Sequence, residues 1–330
     1  MQKMIGRIIK KENIPKFLDE LMKDYDVIAP VRVGGDFFFR IIKSRGDVCM
    51  DFSNTALPPK EFFLPHSEQI FEFEKENILS GNETLKKRII FGIRPCDVNA
   101  LSLLDKVYFD DPYYMKRRKN TILISIACND PLPDCFCLSL GTGPHSSDAD
   151  ITLTDLGDRY YAEVKNDRII NPDLFENPIP EDKEKRDKKH KEAENKIIKQ
   201  IDPEDISNRM GTAFDSQYWD KVAARCLSCG ACTYLCPTCY CFDISDKSMF
   251  SAYKGKRIRC WDSCMFPGFT ELAGGENPRA TKVERFKQRA YHKFKYFLER
   301  YGQAACVGCG RCINSCPVGI DISSVINERE

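Results

Sequence analysis

Cys226-Leu227-Ser228-Cys229-Gly230-Ala231-Cys232-Thr233-Tyr234-Leu235-Cys236-Pro237 and Cys306-Val307-Gly308-Cys309-Gly310-Arg311-Cys312-Ile313-Asn314-Ser315-Cys316-Pro317 share one spacing, C-x2-C-x2-C-x3-C-P. This is the spacing with which bacterial ferredoxins hold iron–sulfur clusters. Three cysteines at intervals of three wrap a loop around one 4Fe–4S cubane, so that their thiolates meet three iron corners. Backbone N–H groups in such a loop can point at the sulfurs, and Gly230 and Gly310 permit the close approach. A helical turn carries the fourth cysteine away, and the proline stops it returning to the same cluster. In two-cluster ferredoxins that fourth cysteine ligates the other cluster. Transferred here, cluster A takes Cys226, Cys229, Cys232 and Cys316. Cluster B takes Cys306, Cys309, Cys312 and Cys236. Structural zinc needs only four sulfurs and accounts poorly for a doubled pattern with two Cys-Pro endings. The expectation is two 4Fe–4S clusters and a chain that carries electrons.

The chain around these motifs has 330 residues, too many for a bare ferredoxin and about right for two domains. A hydrophobic fraction of 42% suffices for an ordinary core. A net charge of +1 gives no strong pull toward nucleic acid or anionic lipid. No apolar run approaches the roughly 18 residues of a spanning helix. The stretch from Met1 to Arg7 leads into Lys10 and Lys11 without an apolar signal region, so a cytoplasmic protein is expected. Seventeen cysteines in so large a chain suggest metal rather than disulfides. An odd total leaves at least one outside any four-ligand scheme.

The pattern predicts an α+β protein. Residues 1–180 read as a mixed α/β domain. Asn13-Ile14-Pro15 starts a helix reaching Asp24. Val27–Val31 and Phe37–Ile42 form a hairpin around Gly34-Gly35. Arg88–Ile93 and Thr121–Ile126 are buried strands, with a helix beginning at Pro95 between them. Ile151–Asp155 and Arg159–Val164 form a second hairpin through Gly157. Residues 181–202 are charge-rich, with both signs interleaved, and read as a solvated helix or linker. Residues 203–330 read as a largely helical, ferredoxin-like two-cluster domain. Within it Thr281–Tyr301 is an amphipathic helix. Its apolar stripe is Phe286, Ala290, Phe294, Phe297 and Tyr301. Its basic residues, Arg285, Lys287, Arg289, Lys293 and Lys295, either offset cluster charge or face solvent.

Other cysteines lie outside the two motifs. Cys96 follows a strand and sits in the first turn of a helix, a position that favours a thiolate. Cys128 ends the next strand, and Cys135 and Cys137 follow. Neighbouring strand ends in an α/β sheet often converge, so Cys96, Cys128, Cys135 and Cys137 are candidate ligands of a third 4Fe–4S cluster. A zinc site or an inert buried set is the competing interpretation. Cys239, Cys241 and Cys264 are open between a further site and packing; Cys260 and Cys49 read as packing residues. For Arg94 and Asp97 the plain expectation is a salt bridge. His292 reads as an ordinary helix-face histidine.

The chain resembles the iron–sulfur (beta) subunits of cytoplasmic sulfhydrogenases and the corresponding iron–sulfur subunits of anaerobic sulfite reductase. The resemblance runs through Phe91–Leu101, Cys135–Gly143, Cys236–Cys241, Trp261–Phe269, Ala273–Gly275, Glu284–Arg289, His292-Lys293 and the last cysteine run. It implies an electron-transfer subunit. Its partners would be a flavin- and NAD(P)-binding subunit, carrying FAD, and a terminal subunit of hydrogenase, sulfite reductase or heterodisulfide-reductase type. It also places family cysteines on Cys96, Cys128, Cys135 and Cys137. No catalytic residue is assigned. The alternative is a redox enzyme whose N-terminal domain binds a flavin or small substrate, with the clusters as internal wire. Gly141-Thr142-Gly143-Pro144 is not a dinucleotide fingerprint.

Overall fold

A computed structural model describes residues 4–80, 86–145, 148–202, 205–248 and 253–328. The N-terminal half is built on a seven-stranded mixed sheet of order β1-β9-β8-β7-β6-β2-β3. The four inner strands β8 (Ile151–Asp155), β7 (Thr121–Ile126), β6 (Arg88–Ile93) and β2 (Asp26–Val33) run parallel. Antiparallel partners β9 (Arg159–Val164), β1 (Ile5–Lys10) and β3 (Asp36–Ile41) complete the two edges.

The apolar runs of β6 and β7 are buried on both faces, as central parallel strands require. On one face Phe17, Leu18 and Leu21 of the helix Ile14–Asp24 pack against Ile89, Phe91, Ile124 and Leu153. On the other, Val98, Leu101 and Leu104 of the helix Pro95–Val107 pack against Ile28, Ile90 and Leu123. The connection β6–helix–β7 places two neighbouring parallel strands with their C-terminal ends side by side. Cys96 follows one end and Cys128 the other. The charged helix Pro180–Asn195 lies against β8 and β9, with most of its residues at the surface.

A second sheet has the order β10-β11-β4-β5. Strands β4 (Ser67–Glu74) and β5 (Asn77–Ser80) come from before the charged helix. Strands β10 (Phe242–Ser248) and β11 (Lys254–Trp261) come from the long spacer between the two cysteine motifs. The spacer is therefore not purely helical. Its strands were not legible because charge, not apolar alternation, pairs them. Lys256 bridges Glu72 at 2.8 Å, and Arg257 meets Asp246 at 2.7 Å. Arg259 donates to Glu68 at 2.6 Å, while Arg117 reaches the other oxygen of the same buried carboxylate at 2.6 Å.

The C-terminal core is helical. Trp219, Met265, Phe286, Ala290, Tyr291, Phe294 and Val325 form one cluster, and Phe136 from the N-terminal part joins it. Thr281 and Glu284 make a reciprocal capping box at the start of the helix Lys282–Tyr291. That helix continues through a π-helical turn, His292–Tyr296, into Phe297–Tyr301. Of the expected stripe, Phe286, Ala290, Phe294 and Phe297 are buried. Phe297 belongs to a separate junction, where it meets Ala100 and Leu103 of the helix Pro95–Val107 together with Ala305 and Val307. His292 is not a free surface residue: its Nε2 lies 3.0 Å from the Tyr240 hydroxyl.

Candidate iron–sulfur centres

The two motif loops fold alike. Ser228 and Gly308, each two residues after the first cysteine, have φ of 53° and 62°. Gly230 and Gly310 have φ of 75° and 72°. This left-handed backbone turns N–H groups inward: Ser228 donates to Cys226 Sγ at 3.4 Å and Gly308 to Cys306 Sγ at 3.5 Å. Hydrogen bonds of this kind stabilise charge on a ligand sulfur. Each loop then enters one helical turn, Ala231–Tyr234 or Arg311–Asn314, and the two turns pack on each other. The turns carry the last cysteine of each run across to the opposite loop.

Cys226, Cys229, Cys232 and Cys316 line one cavity, with Cys312, Met265, Phe286 and Arg289 in its wall. Ile320 donates its N–H to Cys316 Sγ at 3.2 Å. Cys236 lies on the other side, an electrostatic neighbour of Cys306, Cys309 and Cys312. Burial pushes the Cys306 thiol up to about 12 and the Cys309 thiol up to about 11, so in the metal-free chain they are neutral. Iron would displace those protons.

The basic residues of the long helix divide. Arg289 and Lys293, four residues apart on one face, are buried at 4% exposure each. Lys293 Nζ donates to Cys236 Sγ at 3.1 Å, to Thr238 Oγ1 at 3.1 Å and to the Ala305 carbonyl at 2.9 Å. Burial alone would strip both of charge, but the neighbouring sulfurs, which carry negative charge once deprotonated, outweigh it and raise both well above their ordinary values. Cys232 and Cys312 act on Arg289, and Cys236 and Cys239 on Lys293. Arg285 is buried too, but spends its donors on the carbonyls of Met265, Arg279 and Ala280. Lys287 and Lys295 lie nearer the surface.

The N-terminal cysteines also converge. Cys96, Cys128, Cys135 and Cys137 line a cavity with Arg94 and with Cys309 of the second motif. Cys135 Sγ donates to the Cys309 carbonyl at 3.8 Å, and Asn54 Nδ2 reaches the same oxygen at 3.3 Å. A Cβ on Gly308 would stand 2.5 Å from the Cys137 nitrogen, so only glycine lets these loops touch. Burial, with Asp97 adding to it, raises the Cys96 thiol instead of lowering it as the helix start suggested. Arg94 and Asp97 do not pair with each other. Arg94 donates to the carbonyls of Phe52, Ile126 and Ala127, whereas Asp97 takes both arms of Arg311 at 2.6 and 2.8 Å. Arg311 lies inside the second motif, where its position gave no sign of this partner.

The other cysteines separate as well. Cys260 sits on β11 and donates to Ser67 Oγ at 3.4 Å, away from both cavities. Cys49 donates to the Asp51 carbonyl at 3.7 Å. Cys239 and Cys241 line a further cleft with Lys60 and Trp261, and Cys264 is buried. Lys60, which no sequence pattern marked, is buried here and donates to the Cys239 carbonyl at 2.8 Å.

Soft thiol donors gathered around shared cavities, with buried cations beside them, fit iron–sulfur clusters. Residues 225–320 match the 4Fe-4S dicluster domain. The fold and the paired loops thus define an iron–sulfur protein. Over 97% of its length the chain is 36% identical to the sulfhydrogenase 2 subunit beta of Pyrococcus furiosus, covering 97% of that protein. The chain belongs to the family of sulfhydrogenase beta subunits. No solved structure matches it. Among the described residues no helix is long and apolar enough to cross a membrane.

Proposed function

We propose that this chain is a cytoplasmic electron-transfer subunit. It relays electrons between a flavin-containing, NAD(P)H-oxidising subunit and a terminal catalytic subunit of hydrogenase, sulfite reductase or heterodisulfide-reductase type. The observation that carries this reading is the contact pattern of the second motif loop. Its Cys312 forms part of the wall of the first cavity, and its Cys309 forms part of the wall of the N-terminal cavity. The loop thus touches both other thiol sets, as a relay requires.

In this reading Cys226, Cys229, Cys232 and Cys316 hold cluster A. Cys306, Cys309, Cys312 and Cys236 hold cluster B. Cys96, Cys128, Cys135 and Cys137 hold a third cluster. Each cubane, when bound, accepts and returns one electron. The chain positions the thiolates, excludes water with the aromatic core, and offsets their charge with Arg289 and Lys293. FAD belongs to the partner subunit.

Iron and acid-labile sulfide in the anaerobically reconstituted full chain test the cofactor set. About twelve of each per chain are expected, from three cubanes of four. About eight would remove the third cluster. Stoichiometric flavin on the isolated chain, or turnover without partners, would overturn the subunit role in favour of an enzyme.

Lys293→Met is expected to lower the potential of cluster B. A buried cation favours the more negative, reduced state, so its removal makes reduction harder. At about 7 Å and an effective dielectric of about 20, one charge contributes about 2 kcal/mol, on the order of 100 mV for one electron. Potentiometric titration followed by EPR measures this. An unchanged or raised potential would contradict the role given to Lys293.

A further inference from the structure

The two motif loops are alike in backbone but not in surroundings. Val307 is 1% exposed and packs with Ala100, Leu103 and Phe297. A Cβ on Gly308 or Gly310 would strike the chain at Cys137 or Asp134, and Arg311 reaches Asp97. The N-terminal half therefore covers the second loop and brings the Cys96 thiol set to it. In the first loop Leu227 stands where Val307 stands, yet it is 62% exposed. Cys229, the counterpart of Cys309, is the one exposed residue among the twelve cysteines assigned above. Leu227, Cys229 and the exposed Pro317 border the same cavity, so they form one patch.

Cations rim this patch. Arg225 donates to the Val318 carbonyl, two residues beyond Cys316, and Lys282 Nζ donates to the Ala224 carbonyl at 2.8 Å. Lys221 lies four residues before Arg225, on the same side of the chain's helical turn, and both are exposed. Among the described residues none of the three forms a salt bridge, and a carbonyl acceptor cancels no charge. Asp220 lies about 100° round the helix from Lys221. Cations at the surface shift a cluster's potential little, because water screens them, but they steer the approach of an oppositely charged surface.

We propose that the patch of Leu227, Cys229 and Pro317 is the docking surface for a partner subunit that carries an iron–sulfur cluster of its own beneath an acidic surface. An apolar recess on that subunit takes Leu227, as the helix Pro95–Val107 takes Val307, and its carboxylates meet Arg225, Lys221 and Lys282. The iron–sulfur class follows from the second loop, whose equivalent face is covered by another thiol set. Tunnelling falls steeply with distance, so the exposed Cys229 sulfur is the short way out of the chain. One electron leaves cluster A and the partner's cluster gains it, or the reverse, with no bond made or broken. The inference rests on the proposed relay and adds which cluster faces outward and through which surface.

The test uses the multisubunit complex isolated anaerobically with this chain, its clusters loaded. A carbodiimide joins amines directly to carboxylates, and mass spectrometry maps the joined peptides. Lys282 or Lys221 is expected to be joined to an aspartate or glutamate of an iron–sulfur subunit. Leu227→Asp is expected to weaken association with that subunit by about tenfold or more, since it places a charge in the apolar recess. Arg225→Glu combined with Lys282→Glu is expected to weaken it by about tenfold at low salt and little at high salt. Iron, sulfide and the EPR signals of the chain should stay unchanged in both. Joining of these lysines to a second copy of this chain, or to a subunit without an iron–sulfur cluster, would overturn the proposal. So would unchanged association in both variants. If Leu227→Asp does not fold, the wild-type map and the charge variant decide. Failure of the relay would show separately: the complex would assemble with these cross-links, but cluster A would stay reduced while the partner is oxidised.

Discussion

Cys309→Ser is expected to strip about four irons and four sulfides from the chain and to abolish the EPR signal of cluster B. Serine retains a similar side-chain volume but offers a hard alkoxide donor where iron–sulfur chemistry needs a soft thiolate. Three remaining thiols, Cys306, Cys312 and Cys236, would then surround a space that iron no longer fills. Ligation contributes folding energy, so the loss should also lower the thermal unfolding midpoint. The effect should spread, because the Cys309 loop is wedged between the N-terminal strand ends and the helical core. Metal analysis and EPR on the anaerobically prepared variant check this. Unchanged iron and an unchanged reduced signal would remove Cys309 from the ligand set.

Arg311→Met should destabilise the chain by about 3–5 kcal/mol, the range for removing one partner of a buried ion pair. Asp97 is 1% exposed and Arg311 5%. Arg311 also donates from Nε to the Thr55 carbonyl at 2.9 Å and from Nη2 to the Thr55 hydroxyl at 3.2 Å. Methionine fills much of the volume but leaves a buried carboxylate without its counter-charge. The pair joins the helix after β6 to the second motif, so its loss should loosen the junction between the thiol sets. Denaturant unfolding of the variant measures the loss. Combining Arg311→Met with Asp97→Leu should recover a substantial part of it, since no charge is then stranded. A single variant as stable as wild type would show that the pair contributes little.

Much of the α/β half was legible because its strands are apolar and its turns carry glycine and proline. Arg88–Ile93, Pro95 and Thr121–Ile126 announced a parallel unit, and that unit brings Cys96 and Cys128 together. The second sheet was not legible, since Lys254–Trp261 and Ser67–Glu74 pair through lysine, arginine and glutamate side chains whose partners lie far along the chain. The role of the basic helix face was likewise undecidable from periodicity. A helical repeat places Arg289 and Lys293 on one side, but only packing shows that this side meets thiols. The Arg94–Asp97 expectation failed for the same reason: nearness along the chain suggested a pair, while the fold gave Asp97 to Arg311.

The sequence by itself determined the two C-x2-C-x2-C-x3-C-P loops, because ligation of a cubane by a short loop is a local constraint on spacing and on left-handed backbone. Tertiary structure alone decided what surrounds them: which cations are buried against which sulfurs, and that the second loop touches the N-terminal cysteine cavity. Those are contacts between distant segments, set by packing and by the cost of burying unpaired charge, and no local pattern encodes them.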